Sequence, residues 1–508
     1  MNLTAGPYRS EVGPGRDGFM QLLHAEWTKF RTARGWVVGM AAAALMVVLS
    51  AVLTGMSGGG SSPPVALGPG GDPVTDSFYF THQPMGGNGT ITVKVTSLND
   101  RIAAGSQGLR NGSVPWAKAG LIVKENRKQG SAYAAVMVTS GHGVRMQYDY
   151  THDKAGLPGP VSITSPRWLR LTRSGDTIVG YDSTDGTHWH EVGTAHLAGL
   201  SPTVLAGLFV ACPPHIQGTG SGPAVATATF GHPRLRGRWP TPAWSGEQVG
   251  ANSASFSGYP QDSSGGFTAT STGFTVTGAG DIAPAVREAL GTGGVIADLL
   301  IGTFAALIAV IVVGALFITA EYRDGLIRTT LTASPRRGRV LAAKAIVLGS
   351  ATFVAGLAAA AVAVPIGERL AHAKGVYLFP VTPLTELRVE VGTAALLAVA
   401  AILALALGAI LRRSAGAVTG VIAAIVLPYI LVATPFMPAT VAEWMTRVTP
   451  TAAFATQQTL TVYHQVNSVY IPANGYYPLA PWAGLGVLSA YAALALGIAA
   501  LLLHRRDA

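Results

Sequence analysis

The segment Glu321–Lys344, EYRDGLIRTTLTASPRRGRVLAAK, gathers six basic residues between two long apolar runs: Arg323, Arg328, Arg336, Arg337, Arg339 and Lys344. Such a cluster can pair with acidic groups on a partner protein or with anionic lipid. It can also do no more than mark the side of a membrane on which the loop lies. Glu321 and Gly325 are not explained by that second use, because an acid at the end of a span gains nothing from an anionic surface. The first half of the segment is helix-like, Pro335 breaks it, and the next apolar run follows. We read the segment as a short lever that takes force from a separate motor protein.

Catalytic chemistry is not legible elsewhere. No G-x-x-x-x-G-K-[ST] run occurs, so this chain does not cradle ATP phosphates by that route. A glycosidase needs two carboxylates roughly 5–9 Å apart. The glutamates of the middle region, Glu125, Glu191, Glu247 and Glu288, are widely spaced. His188 and His190 flank Trp189 and share a strand face, but no third metal ligand accompanies them. Asp182 and Asp185 lie in a turn where two carboxylates alone are a weak calcium signal. We expect no catalytic residue, no metal and no cofactor.

The elements that position the loop are apolar. The chain is 49% hydrophobic and 12% charged, where a soluble domain carries about 25% charged residues. Six runs are long enough to span a membrane: 36–56, 295–320, 342–366, 391–411, 415–434 and 482–503. None has an ionisable residue in its interior, which argues against ion-coupled transport and against a charged selectivity ring. A signal peptide is the rival reading of 36–56, but the run is too long and no small-residue cleavage site follows it. Residues 1–20 read as a disordered tail. QLLHAEWTKFRTAR, 21–34, places Leu22, Leu23, Trp27 and Phe30 on one helical face, the pattern of an interfacial helix.

The net charge of +10 is unevenly placed. Residues 57–294 hold 16 Lys/Arg and 14 Asp/Glu, 16 − 14 = +2, so most of the surplus flanks the apolar runs. That distribution provides no basic stripe for DNA or RNA. It fits six spans with both termini and the 321–341 loop in the cytoplasm of a plasma-membrane protein, and 57–294 outside the cell. Aromatic residues crowd 435–481, where short, partly re-entrant helices are expected.

After a Gly/Pro/Ser linker at 57–75, residues 76–283 alternate apolar and polar residues in short runs. Turn residues separate them at Gly86-Gly87-Asn88 and Asp185-Gly186. This is the pattern of an antiparallel β-sandwich. A last hairpin, 265–282, is expected to return to the same sandwich and bring its ends together near the membrane. Cys212 is the single cysteine, so no disulfide supports the domain, and it reads as a buried small hydrophobe.

The run Glu321–Tyr322, Gly325, Arg328-Thr329-Thr330, Pro335-Arg336-Arg337 and Lys344 resembles the cytosolic segment of ABC-2-type permeases, in particular their actinobacterial branch. HAEWTKFRTAR, with Glu26, Trp27, Lys29 and Phe30, resembles the same family's N-terminal elbow helix. The resemblance covers 20–56 and 295–508. It implies a six-span exporter subunit that pairs with a second copy or a second permease. It also implies an elbow helix along the inner lipid surface, and a loop that docks into a cytoplasmic ABC ATPase through Glu321, Arg323, Gly325, Arg328, Pro335, Arg336, Arg337, Arg339 and Lys344. The middle domain departs from that family. WAKAGLIVKE, RWLRLTRSGDTIVGYDSTDGTHWHEVG and AGLFV resemble concanavalin-like (laminin-G-like) sandwiches, often attached to carbohydrate-active proteins. On that resemblance Trp116, Lys118, Tyr133 and Tyr150 become candidates for a glycan-binding face, against the plainer reading that they are core. The alternative function is a membrane-tethered protein that recognises an extracellular glycan or lipid. Six spans count against it, since one would anchor.

Overall fold

The computed structural model describes residues 18–57, 65–104, 108–218, 220–250, 259–261, 263–290, 294–326, 336–433 and 437–505. It has two parts, a helical bundle and a β-sandwich inserted after the first long helix.

Among the described residues, six helices are long and apolar enough to cross a membrane: Arg34–Ser57, Thr303–Arg323, Arg337–Ala373, Pro383–Leu411, Ser414–Ala433 and Pro481–Arg505. Most extend beyond the apolar runs, because end turns tolerate charge where they reach water. The segment 295–320 divides into a single turn, Ile296–Leu299, and the long helix that follows. Lys344, at the margin of the 342–366 run, is drawn into the helix and buried. It lies in the second turn of the third long helix and is 1% exposed. The second and fourth long helices pack through small residues. A Cβ on Gly314 would sit 2.4 Å from the Ala401 carbonyl oxygen, so only glycine permits that approach. Between the fifth and sixth long helices lie an amphipathic helix, Ala439–Val448, and a buried 3₁₀ segment, Pro450–Gln457. Phe454 of that segment stacks on Phe304.

The sandwich is all antiparallel. Its central path runs His190–His196, Thr177–Ser183, Arg167–Ser174, Phe78–Ala103, Thr203–Ala211, Lys118–Lys124, Tyr133–Thr139, Gly143–Tyr148 and His152–Ala155. Phe78–Ala103 is one strand of 26 residues, not two strands joined by a turn at Gly86-Gly87-Asn88. It bends there, with Gly87 at φ +65°. Its first half pairs with Thr203–Ala211 and its second with Arg167–Ser174, so the strand passes from one layer to the other. The interlayer core holds Ile91, Val93, Leu121, Val136, Leu169, Leu171 and Leu208, and Cys212 is buried within it. The final hairpin, Gly266–Thr270 with Gly273–Gly278, joins the sheet through Ala224–Gly231 as expected. The two stems leading to the bundle pair with each other, Val74 opposite Pro284 and Asp76 opposite Ile282.

One buried acid gives the sandwich a pH signature. Asp100 accepts from Val114 N (3.0 Å) and Ser140 Oγ (2.9 Å). Burial nevertheless raises its carboxyl above the ordinary aspartate value, outweighing those two bonds. Between the ordinary value and the raised one, the folded chain keeps a proton that the unfolded chain has released. Stability therefore falls as pH rises through that window and levels off above it. Melting temperatures measured from pH 4 upward should show this decline, and Asp100→Asn should flatten it.

Candidate functional site: an ion cluster where three helices meet

The first helix, Phe19–Thr32, buries Glu26 and Phe30, one turn apart, against the bundle. Trp27 is 43% exposed and stacks on Phe30, so it faces outward instead of joining the buried face. Glu26 is 1% exposed. Its Oε2 lies 2.7 Å from Lys344 Nζ and its Oε1 2.9 Å from Lys29 Nζ. The same two lysines reach Glu321 Oε1, at 2.7 Å and 3.2 Å respectively. Two carboxylates and two ammonium groups thus form a neutral square at the end of the bundle away from the sandwich. It joins the first helix, the end of the second long helix and the start of the third.

Aromatic rings cover the Lys344 side of the square. Lys344 Nζ lies 4.7 Å from the Phe317 ring centre, and Phe317 meets Phe30 and Trp36 edge-on. Burial alone would lower the Lys29 ammonium. Hydrogen bonds and charge from Glu26 and Glu321 outweigh it and hold the group above the ordinary lysine value. A buried pair of this kind contributes little net stability against an apolar substitute. Removal of one partner is costly, because the other charge is left behind.

The loop's flanks make two more contacts with distant helices. The Arg412 guanidinium sits 5.2 Å from the Tyr322 ring, at the end of the fourth long helix. Arg337 Nη1 donates to the Leu503 carbonyl at the end of the sixth. Together with the square, the residues beside the loop contact Phe19–Thr32 and the fourth and sixth long helices.

The predicted loop residues separate into two groups. Lys344 is corrected: it is not on a partner-facing surface but inside, satisfied by Glu26 and Glu321. Glu321 is also mostly internal, 12% exposed. Arg323, Arg336 and Arg339 are exposed, and Arg323 pairs with its neighbour Asp324. Gly325 is exposed at φ +71° just after the second long helix ends. Arg328 and Pro335 lie outside the described residues. Tyr322 and Arg412 were not anticipated. A Tyr beside Glu321 and an Arg at a helix end were both visible, but their meeting depends on packing.

The four sandwich candidates do not form an open face. Trp116 is 7% exposed, Tyr150 1%, and Lys118 and Tyr133 0%. Their side of the sheet is covered by the two stems. Lys124 Nζ pairs with Asp76 Oδ2 at 2.7 Å, and Lys118 Nζ with Asp281 Oδ1 at 2.6 Å. Tyr150 Oη donates to Asp76 Oδ2 (2.8 Å). Trp116 stacks on His142. Both strands that carry Lys118, Lys124 and Tyr133 are buried at every position, which a simple alternation of faces does not anticipate. In the Asp185 turn, Oδ1 accepts from the Thr187 and His188 amides and Oδ2 contacts His188 Nδ1. Asp182 accepts from the Leu157 amide and contacts His190. Among the described residues no group of three His, Cys, Asp or Glu is placed to hold a metal.

No protein-family model matches the chain, and no curated protein matches it by sequence. Solved structures resemble part of it. A functionally unknown protein from Saccharomyces cerevisiae is 18% identical over 36% of this chain and 85% of its own, with a TM-score of 0.23. The GH43 protein BlXynB from Bacillus licheniformis is 15% identical over 30% of this chain and 28% of its own, TM-score 0.20. Scytalido-glutamic peptidase is 10% identical over 40% and 98%, TM-score 0.26.

Proposed function

We propose that the chain is the permease subunit of an ATP-driven ABC exporter, driven through its basic loop by a separate cytoplasmic ATPase. The observation that carries this reading is the ion square. Glu321 and Lys344 flank the loop, and both are bonded to Glu26 on the interfacial helix or to its neighbour Lys29. A load on exposed Arg323, Arg336 or Arg339 therefore reaches three helices through contacts of 2.7–3.2 Å. Loop motion without helix motion would break buried charge pairs, which is costly.

Charge placement supports the sidedness of this reading. Lys29, Arg31, Arg34, Arg323, Arg336, Arg337, Arg339, Arg412, Arg413 and Arg505 all lie at the same end of the bundle, as cytoplasmic flanks do. In this reading both termini are cytoplasmic and the sandwich is extracellular. The apolar outer faces of the first and sixth long helices, with Leu45, Leu49 and Leu53 on one and Leu494, Ile498 and Leu501 on the other, suit lipid or a second permease subunit. The alternative, a membrane-tethered protein that recognises an extracellular glycan or lipid, draws on the exposed cations Arg234 and Arg236 of the sandwich.

The test is co-reconstitution with a P-loop ATPase that co-purifies with the protein. Replacing exposed Arg336 and Arg339 together by Ala should lower permease-stimulated ATP turnover about tenfold while the complex still folds. Unchanged turnover would remove the loop from the mechanism.

A further inference from the structure

The sandwich has a second sheet face, opposite its interlayer core, on which Arg234 and Arg236 are exposed and Lys94 and Arg170 half-buried. Register places it. Thr92 lies opposite Arg170 and Arg234, Thr90 opposite Thr172 and Arg236, and Lys94 opposite Trp168. Ile91, Val93, Leu169 and Leu171 alternate with these residues and point into the core. So Lys94, Arg170, Arg234 and Arg236 share one outward face, contributed by three adjacent strands.

Two tryptophans lie against three of these cations. The Arg170 guanidinium lies 3.7 Å from the Trp189 ring centre, and its Nε donates to Thr92 Oγ1 (3.3 Å). Arg234 and Lys94 lie 5.4 Å and 5.8 Å from the Trp168 ring. Gly186 lets the neighbouring turn close against Trp168, where a Cβ would come within 2.8 Å of the ring. None of the four cations makes an ion pair among the described residues. The nearest acid by register, Glu191 opposite Tyr181, accepts from Thr194 Oγ1. Burial, and then the like charge of Arg236, pulls the Arg170 guanidinium below its ordinary value. An anion laid over the pair would relieve that repulsion.

We propose that this face binds an acidic glycan, a polysaccharide chain bearing carboxylate groups. Guanidinium groups recognise carboxylates through paired N–H donors. Trp189, half-buried beside the stacked Arg170, adds flat apolar surface of the kind that meets the C–H faces of sugar rings. A sheet face with charges on three strands suits an extended chain better than a small enclosed ligand. The face is separate from the four residues expected from sequence, which are buried under the stems.

The test uses the full-length protein in detergent with polygalacturonate as probe, neutral dextran as control, and phosphatidylglycerol vesicles as a third arm. Polygalacturonate should bind at least about tenfold more tightly than dextran, with affinity falling as salt rises. Arg234→Glu with Arg236→Glu should weaken it by about tenfold or more. Arg101→Glu with Arg110→Glu, an equal charge change at exposed positions elsewhere on the sandwich, should leave it within about twofold. Arg236→Glu alone repeats the test with least disturbance to the fold, and melting temperatures identify any variant that has unfolded. Polygalacturonate bound no better than dextran, equal loss in both double variants, or capture of vesicles in place of the polysaccharide would each overturn the proposal.

Discussion

Lys344→Met should destabilise the helical bundle by about 3–5 kcal/mol, the cost of leaving a buried charge without its partner. Glu26 would keep Lys29 on one oxygen and lose Lys344 from the other, while 1% exposed. The loss should appear as a lower melting temperature of the purified full-length protein and a smaller monodisperse fraction. The double variant Glu26→Gln/Lys344→Met removes both charges from the buried side of the square. It should recover most of the loss, because Glu321 still pairs with Lys29. A single variant that melts with the parent protein would mean that water reaches the cluster and that its members are not structurally coupled. The double-variant comparison separates this from a general effect of losing a long side chain.

A second large effect is expected at the stem of the sandwich. Asp76→Ala deprives three donors at once: Lys124 Nζ (2.7 Å), Tyr150 Oη (2.8 Å) and the Gly130 amide (2.9 Å). Lys124 is 0% exposed, so its ammonium cannot turn to solvent. The expected cost is again about 3–5 kcal/mol. It should be read as faster cleavage of the sandwich by a broad-specificity protease, with the helical bundle spared. Asp76→Leu combined with Lys124→Met should restore resistance in part, although Tyr150 Oη and the Gly130 amide still lose their acceptor. The two sites lie in separate hydrophobic clusters, so their effects should add.

Periodicity carries over into structure where one local pattern decides the outcome. Apolar runs of sufficient length became helices, alternating runs became strands, and the closing hairpin returned to the sheet. It fails where the partner is distant in the chain. Lys344 and Glu26 are 318 residues apart, so a lysine beside a basic loop looks like a ligand for something outside. Lys118 and Lys124 lie six residues apart on one face of their strand, and the chain's own stems are laid over that face. Gly86-Gly87-Asn88 has the composition of a reversal, and a bend within one strand uses the same backbone freedom. The basic face of the sandwich is the clearest case. Lys94, Arg170 and Arg234 come from three strands, and only their register brings them together.

The pairing of the two stems has a consequence for the history of the chain. Val74–Asp76 and Ile282–Pro284 leave the sandwich side by side as rungs of one ladder, about 5 Å apart. From the bundle's standpoint, the whole insert is equivalent to a short hairpin between the first and second long helices. The loop-closure entropy felt by the helices is set by the stems and not by the length of what lies beyond them. A domain attached in this way can be gained, exchanged or enlarged without altering how the helices fold, and the host and its passenger are free to evolve on separate terms.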